Sequence, residues 1–271
     1  VGSWDNNLYA VDQTTGEQQW AFETGDAISG SPAVVDGIVY IGSIDTTLYA
    51  VDAATGREQW TFETDFRITA PPTVADGTVY AGSWDKTLYA LDAASGEQQW
   101  SFPAGATIDA APTVGDGTVY VAARNDTLYA VDTASGEQQW AFDTGDTATG
   151  FNISSSPTVV GGTVYVGSYD HNLYAVDAAS GDWQWEFATY GDIVGSPTVA
   201  GETVYIGSSD GNLYAVDTAT GREQWAFETE LPINSSPPLP ASRARGSNRR
   251  LPRHQSTTTS ALSSPILRVY A

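Results

Sequence analysis

The stretch Leu48-Tyr49-Ala50-Val51-Asp52-Ala53-Ala54-Thr55-Gly56-Arg57-Glu58-Gln59-Trp60 decides the architecture, because the chain carries six versions of it. Its closing tryptophan recurs at Trp20, Trp60, Trp100, Trp140, Trp185 and Trp225, at spacings of 40, 40, 40, 45 and 40 residues. The Tyr-Ala pair keeps the same step, from Tyr9-Ala10 to Tyr214-Ala215. A fixed period of this length marks an array of one supersecondary unit, each copy needing its neighbours to bury a core.

Residues 30–69 show what one copy encodes. Val34-Val35 reads as a short strand, and Asp36-Gly37 as a tight turn needing positive φ. Ile38–Ile41 is a β-branched and aromatic run, hence a second strand. The polar loop Gly42–Thr47 leads to a third strand, Leu48–Val51. Asp52–Gly56 has the residues of a turn, and Glu58–Phe62 alternates as a half-buried fourth strand does. Four short strands per copy, with no helical period, predict an all-β protein: a β-propeller of four-stranded antiparallel blades. A parallel β-helix has shorter coils and no need of hairpin turns. Residues 1–29 supply the third and fourth strands of a partial first blade. Five complete blades follow over 30–234, near 30–69, 70–109, 110–149, 155–194 and 195–234, giving about six in all. The extra five residues fall around Thr147–Ser154, in a junction.

The six tryptophans are expected to wedge between neighbouring blades. Each buries roughly 150–250 Å² there, a few kcal/mol at about 25 cal/mol per Å². Ala10, Gly16 and Trp20 stand at the first, seventh and eleventh places of a pattern repeated from Ala50, Ala90, Ala130, Ala175 and Ala215. It resembles the tryptophan-docking motif of the pyrroloquinoline-quinone (PQQ) type propeller repeats, over residues 1 to about 237. That resemblance implies a propeller. It is shared by quinoprotein dehydrogenases, by the assembly lipoprotein of the outer-membrane Bam complex and by sensor domains, so it implies no single activity.

Charge divides the chain sharply. All 33 acidic residues precede position 240, against five bases there, Arg57, Arg67, Lys86, Arg124 and Arg222. Such a body repels phosphates, which excludes nucleic acid as a partner, and it suits a protein kept hydrated in high salt, from a halophilic source. Residues 235–271 carry six arginines and no acid. This divergent Pro/Arg/Ser-rich segment reads as a disordered basic tail, a nucleic-acid or membrane contact, or the product of a shifted translation frame. The shifted frame is favoured, because Asn234-Ser235-Ser236-Pro237 begins a new copy faithfully. Ile266–Tyr270 has strand character and is the tail's candidate to complete the first blade, since propellers usually close by joining strands from both termini. There is no cysteine, no signal peptide and no apolar run long enough to span a membrane. Val1 enters at the end of what should be a second strand, as expected of a fragment, a processed form or a circularly permuted start.

Catalysis is not expected. In the dehydrogenases that the resemblance brings to mind, calcium and the quinone are held by irregular insertions, often with paired cysteines. Neither PQQ nor Ca²⁺ is assigned here. Asp12, Asp52, Asp92, Asp132, Asp177 and Asp217 read as turn formers. Asp5, Asp45, Asp85, Asn125, Asp170 and Asp210 open the loop before each third strand and should either cap that loop or ring one face. The residue before each varies, as Trp4, Ile44, Trp84, Arg124, Tyr169 and Ser209, inside a nearly constant frame. Repeats that hold a frame and vary one loop position suit a binding module. The candidate face is Trp4, Asp5, Asp45, Trp84, Asp85, Arg124, Asn125, Tyr169, Asp170 and Asp210, with Phe66, Arg67, Phe151, Tyr190 and Leu231 at the junctions. Exposed aromatics there suit a protein or glycan partner at the cell surface or outside the cytoplasm. Asn125, Asn152 and Asn234 head glycosylation triplets compatible with that location. The alternative is a quinoprotein dehydrogenase or its remnant.

Overall fold

The computed structural model describes residues 1–145 and 153–238. Among these residues there is no helix, and the strands form six antiparallel sheets. Sheet 1 holds β1 (Asn7–Val11) and β2 (Gln18–Glu23). Sheet 2 holds β3 (Ala33–Val35), β4 (Ile38–Gly42), β5 (Thr47–Asp52) and β6 (Glu58–Glu63), side by side in chain order. Sheets 3 to 6 repeat this meander over residues 73–103, 113–143, 158–188 and 198–228. The first strands of neighbouring four-stranded sheets touch one another. The architecture is that of a β-propeller, with five complete blades and one partial blade.

The turn chemistry explains each hairpin. Asp36 and Gly37 have φ of 50° and 79°, both positive, as a two-residue turn matched to strand twist demands. In the next turn, Asp52 Oδ1 accepts the N–H groups of Ala54 and Thr55 and the Thr55 hydroxyl, at 3.2, 2.8 and 2.6 Å. Hydrogen bonds from the residue three along hold the Asp12, Asp52, Asp92, Asp132, Asp177 and Asp217 carboxyls below their ordinary range.

A bulge precedes every docking tryptophan. Ala50 pairs with Trp60 but Val51 with Glu58, leaving Gln59 unpaired, and the same shift recurs in all six sheets. An extra residue bends its strand and re-aims the side chain that follows. The unpaired glutamine is itself held in four sheets, where Thr78, Thr118, Thr163 and Thr203 donate to Gln99, Gln139, Gln184 and Gln224 at 3.0–3.2 Å.

The core lies in five seams of one design. A β-carbon at Gly56, Gly96, Gly136, Gly181 or Gly221 would fall 2.6–2.7 Å from the ring of Trp20, Trp60, Trp100, Trp140 or Trp185 in the preceding sheet. Glycine is therefore required twice at this place, for positive φ and for the ring lying on its backbone. Each indole N–H donates to a carbonyl of that next sheet, on Ala53, Ala93, Thr133, Ala178 or Thr218, at 2.9–3.0 Å. Two residues on, Phe22, Phe62, Phe102, Phe142 and Phe187 meet Tyr49, Tyr89, Tyr129, Tyr174 and Tyr214 edge-on, with centroids 5.2–5.6 Å apart.

The six indoles are not buried alike among the described residues. Trp60, Trp100, Trp140 and Trp185 are 7–9 % exposed, but Trp225 is 44 % exposed. Among the described residues no sheet follows sheet 6. At the other end, a β-carbon on Gly16 would meet nothing within 4 Å. Val1 does sit at the end of a second strand, its carbonyl accepting the Tyr9 N–H at 2.8 Å and Gly2 bridging Leu8. An apolar groove of about 260 Å³ lies against this sheet, lined in part by Val11, Trp20 and Val34. Ser236 accepts the Ser196 N–H at 2.8 Å, as Ser196 accepts that of Ser156 at 3.1 Å, so residues 235–238 begin another copy. Most of the junction insertion, with Phe151 and Asn152, and the tail from 239, with Ile266–Tyr270, lie outside the described residues.

Candidate functional site at the loop end

The loops before each third strand and the junctions between sheets lie at one end of the strands. Here the structure separates clasps from contact residues. Oδ1 of Asp5, Asp45, Asp85, Asp170 and Asp210 accepts the N–H two residues on, at 2.9–3.1 Å. Oδ2 accepts a tyrosine hydroxyl from Tyr9, Tyr49, Tyr89, Tyr174 or Tyr214, at 2.7–2.9 Å. In three seams Oδ2 also takes an N–H from the preceding junction, on Gly25, Asp65 or Tyr190. All five carboxylates cap their own loops, and Asp45, Asp85 and Asp210 also tie theirs to the sheet before.

The tyrosines answer in their ionisation. Burial and the adjoining Asp85 and Asp210 push Tyr89 and Tyr214 up to about 12. Tyr174 is raised for the same reasons, beside Asp170. Burial acts to raise the Asp210 carboxyl, but the hydrogen bonds from Tyr190, Asn212 and Tyr214 outweigh it and the net shift is downward.

Calcium takes carboxylate oxygens among its ligands. The five loop carboxylates have both oxygens engaged in hydrogen bonds within the fold. Among the described residues no group of three or more His, Cys, Asp or Glu side chains is placed to hold a metal.

The fourth copy breaks the pattern. Ala122-Ala123-Arg124-Asn125 replaces the Gly-Ser-x-Asp of the other five copies. Asn125 Nδ2 donates to the Ala104 carbonyl at 3.2 Å and the Tyr129 hydroxyl at 2.9 Å, so this amide is part of the clasp rather than an open glycosylation acceptor. Beside it lies a cluster built from three copies. The Arg67 guanidinium carbon stands 3.5 Å from the centroid of the Trp84 ring, and that of Arg124 stands 5.8 Å from it. Trp84 Nε1–H donates to Thr69 Oγ1 at 2.7 Å, which fixes the ring. Arg124 Nε lies 3.2 Å from Asp109 Oδ2. Burial raises the Asp109 carboxyl, opposed by Arg124. A cation over an indole contributes about 0.5–2 kcal/mol, more when water is excluded. Phe66, half exposed, extends the cluster outward.

The other varied positions are not drawn into this cluster. Trp4 is 76 % exposed. Tyr169 is half-buried, and Ser209 donates to Asn234 Oδ1 at 2.9 Å. Asp109 and Thr69 are the members that sequence reasoning passed over. The signal lay in the place just before each new copy, which reads Ser29, Thr69, Asp109, Ser154, Val194 and Asn234.

The comparisons agree with this geometry. The sequence pattern of the family described as outer membrane protein assembly factor BamB matches three times, over residues 5–108, 85–186 and 152–249. The chain belongs to this PQQ-like repeat family. The crystal structure of BamB from Moraxella catarrhalis is similar, with a TM-score of 0.71 and 23 % identity, over 85 % of this chain and 75 % of that one. At that identity the likeness shows the shared fold. No curated protein matches the chain. Among the described residues no helix is long and apolar enough to cross a membrane.

Proposed function

We propose that the chain is a non-catalytic binding scaffold that works outside the cytoplasm and holds a protein partner at its loop end. The Arg67–Trp84–Arg124 cluster carries this reading. Two of the five bases of the acidic body converge on one indole there, in the copy pair where the repeat departs from its own rule. Tryptophan and arginine are the side chains that most often dominate protein contacts. The family's description as an assembly factor supports a partner that is protein rather than glycan.

A photo-crosslinker carried at position 84 in cells should trap a discrete protein, and one at position 54, at the opposite end of the strands, should not. Arg124→Glu should remove the adduct. Equal trapping at both positions, or oxidation of an alcohol by the chain with added PQQ and Ca²⁺, would overturn the proposal. The acidic surface supports a high-salt setting, in which the melting temperature should climb from dilute buffer to multimolar KCl.

A further inference from the structure

The seam between sheets 3 and 4 lacks acids that its counterparts carry at the loop end. Residues 104–108 hold none, whereas 24–28, 64–68, 189–193 and 229–233 hold one each. Asn125 stands where the other five copies have aspartate. The bases of the acidic body gather at the same place. Arg67 and Arg124 share the Trp84 ring, and Lys86 is exposed two residues beyond it. The remaining two, Arg57 and Arg222, close turns at the opposite end of the strands. These converging cations are not spent inside the fold. Among the described residues Arg67 is paired with no carboxylate, and its Nε is buried without a hydrogen-bond partner. At 3.5 Å from the ring centroid its guanidinium stacks by its face, which leaves the in-plane N–H edge for a planar anion. Arg124 has one carboxylate beside it, Asp109, and its side chain is still 34 % exposed. Asp109 Oδ1 has no hydrogen-bond partner among the described residues, so this pair does not close on itself as a bidentate one does. Asp85, next to Trp84 in the chain, is engaged by the N–H groups of Thr87 and Asp65 and by the Tyr89 hydroxyl.

We propose, resting on the loop-end reading given above, that the protein partner offers an acidic segment whose carboxylates seat on Arg67 and Arg124 beside the Trp84 ring. The rest of the body repels such a segment, so the one seam that lacks its usual acids fixes where the segment lies. Asp109 holds Arg124 in place and competes with the incoming carboxylate for it.

The test uses the full chain and a fluorescent hexaglutamate peptide, followed by anisotropy in about 1 M KCl, where repulsion reaches only about 3 Å and contact pairs remain. Hexaglutamate should bind, and hexaglutamine should not. Arg67→Gln and Arg124→Gln should each weaken binding about tenfold, the loss of one charge-assisted contact. Arg57→Gln, at the far end of the strands, should leave it unchanged. Asp109→Asn should tighten it, an effect that damage to the fold cannot produce. Failure of hexaglutamate to bind, equal binding to the wild type and both arginine variants, or weaker binding to Asp109→Asn overturns the proposal. Any of these together with a protein trapped at position 84 leaves the protein partner standing and removes its acidic character. Hexaglutamate binding as described with no protein trapped at position 84 supports the carboxylate site and overturns the protein partner.

Discussion

Trp100 and Trp225 close two copies of one motif, yet one is 8 % exposed and the other 44 %. Both follow the same bulge and both lean on a tyrosine of their own sheet. What differs is the neighbour. Trp100 lies against Gly136 and donates to the Thr133 carbonyl, while Trp225 has no further sheet beside it among the described residues. The strand, the turn and the bulge are thus properties of one copy. Burial, and most of the stability, belong to the pair.

This comparison can be broken most directly by truncation. Trp100→Ala should cost about 3–5 kcal/mol, the range for emptying a large aromatic site. Trp225→Ala should cost about 1 kcal/mol or less. Urea unfolding of both variants decides it, and equal losses would mean that the seams are not where the stability lies.

Glycine sharpens the point, because it separates backbone from contact. Gly136 and Gly16 share a φ of 72–73°, so alanine strains both backbones alike. At Gly136 the new β-carbon also falls 2.7 Å from the Trp100 ring. Gly136→Ala should therefore cost about 1–3 kcal/mol more than Gly16→Ala, the usual range for overpacking.

Alkaline titration probes the clasps. Tyr89 is raised from 10.0 to about 12 in the folded chain. Its share of stability is complete below the unfolded value near 10 and is lost as pH rises through about 12. Tyr89→Phe should flatten the fall in melting temperature across that window, and Tyr9→Phe, at the exposed end clasp, should do so less.

The smallest contrast is expected at the turns. Asp12 at the end sheet and Asp132 in the interior are both held below their ordinary range by hydrogen bonds within their own turn. A depressed carboxyl supports the fold above its unfolded value and ceases to do so as pH falls through the folded one. Asp12→Ala and Asp132→Ala should lower the melting temperature equally near neutral pH and equally flatten its fall toward acid. A larger loss at Asp132 would show that the turns too depend on the seam.

Much of this was legible in the chain itself. Asp36-Gly37 announced a positive-φ turn, Asp52–Gly56 a self-bonded one, and the strand between them read correctly to within a residue or so. The bulge at Gln59 was not legible, because Glu-Gln-Trp alternates as a regular strand does and only the cross-strand register shows the slip. The candidate site was half legible. Trp84 and Arg124 stood out as departures from a repeat. That Arg67, from another copy, stacks on Trp84 while Asp109 takes Arg124 required sheets 2, 3 and 4 to be brought side by side. The loop aspartates read first as caps, with a ring of acids on one face as the alternative. Tyrosines four residues on in sequence, and junction amides twenty residues earlier, consume them in the folded chain.

Sequence alone set the period, the four-strand unit, the turn chemistry and the acidic body, since each follows from residues close together along the chain. Tertiary structure alone decided which indoles are buried, which carboxylates are spent and which cations share one ring. Those outcomes depend on the sheet next door, and a repeat that writes every sheet alike cannot say what each of them packs against.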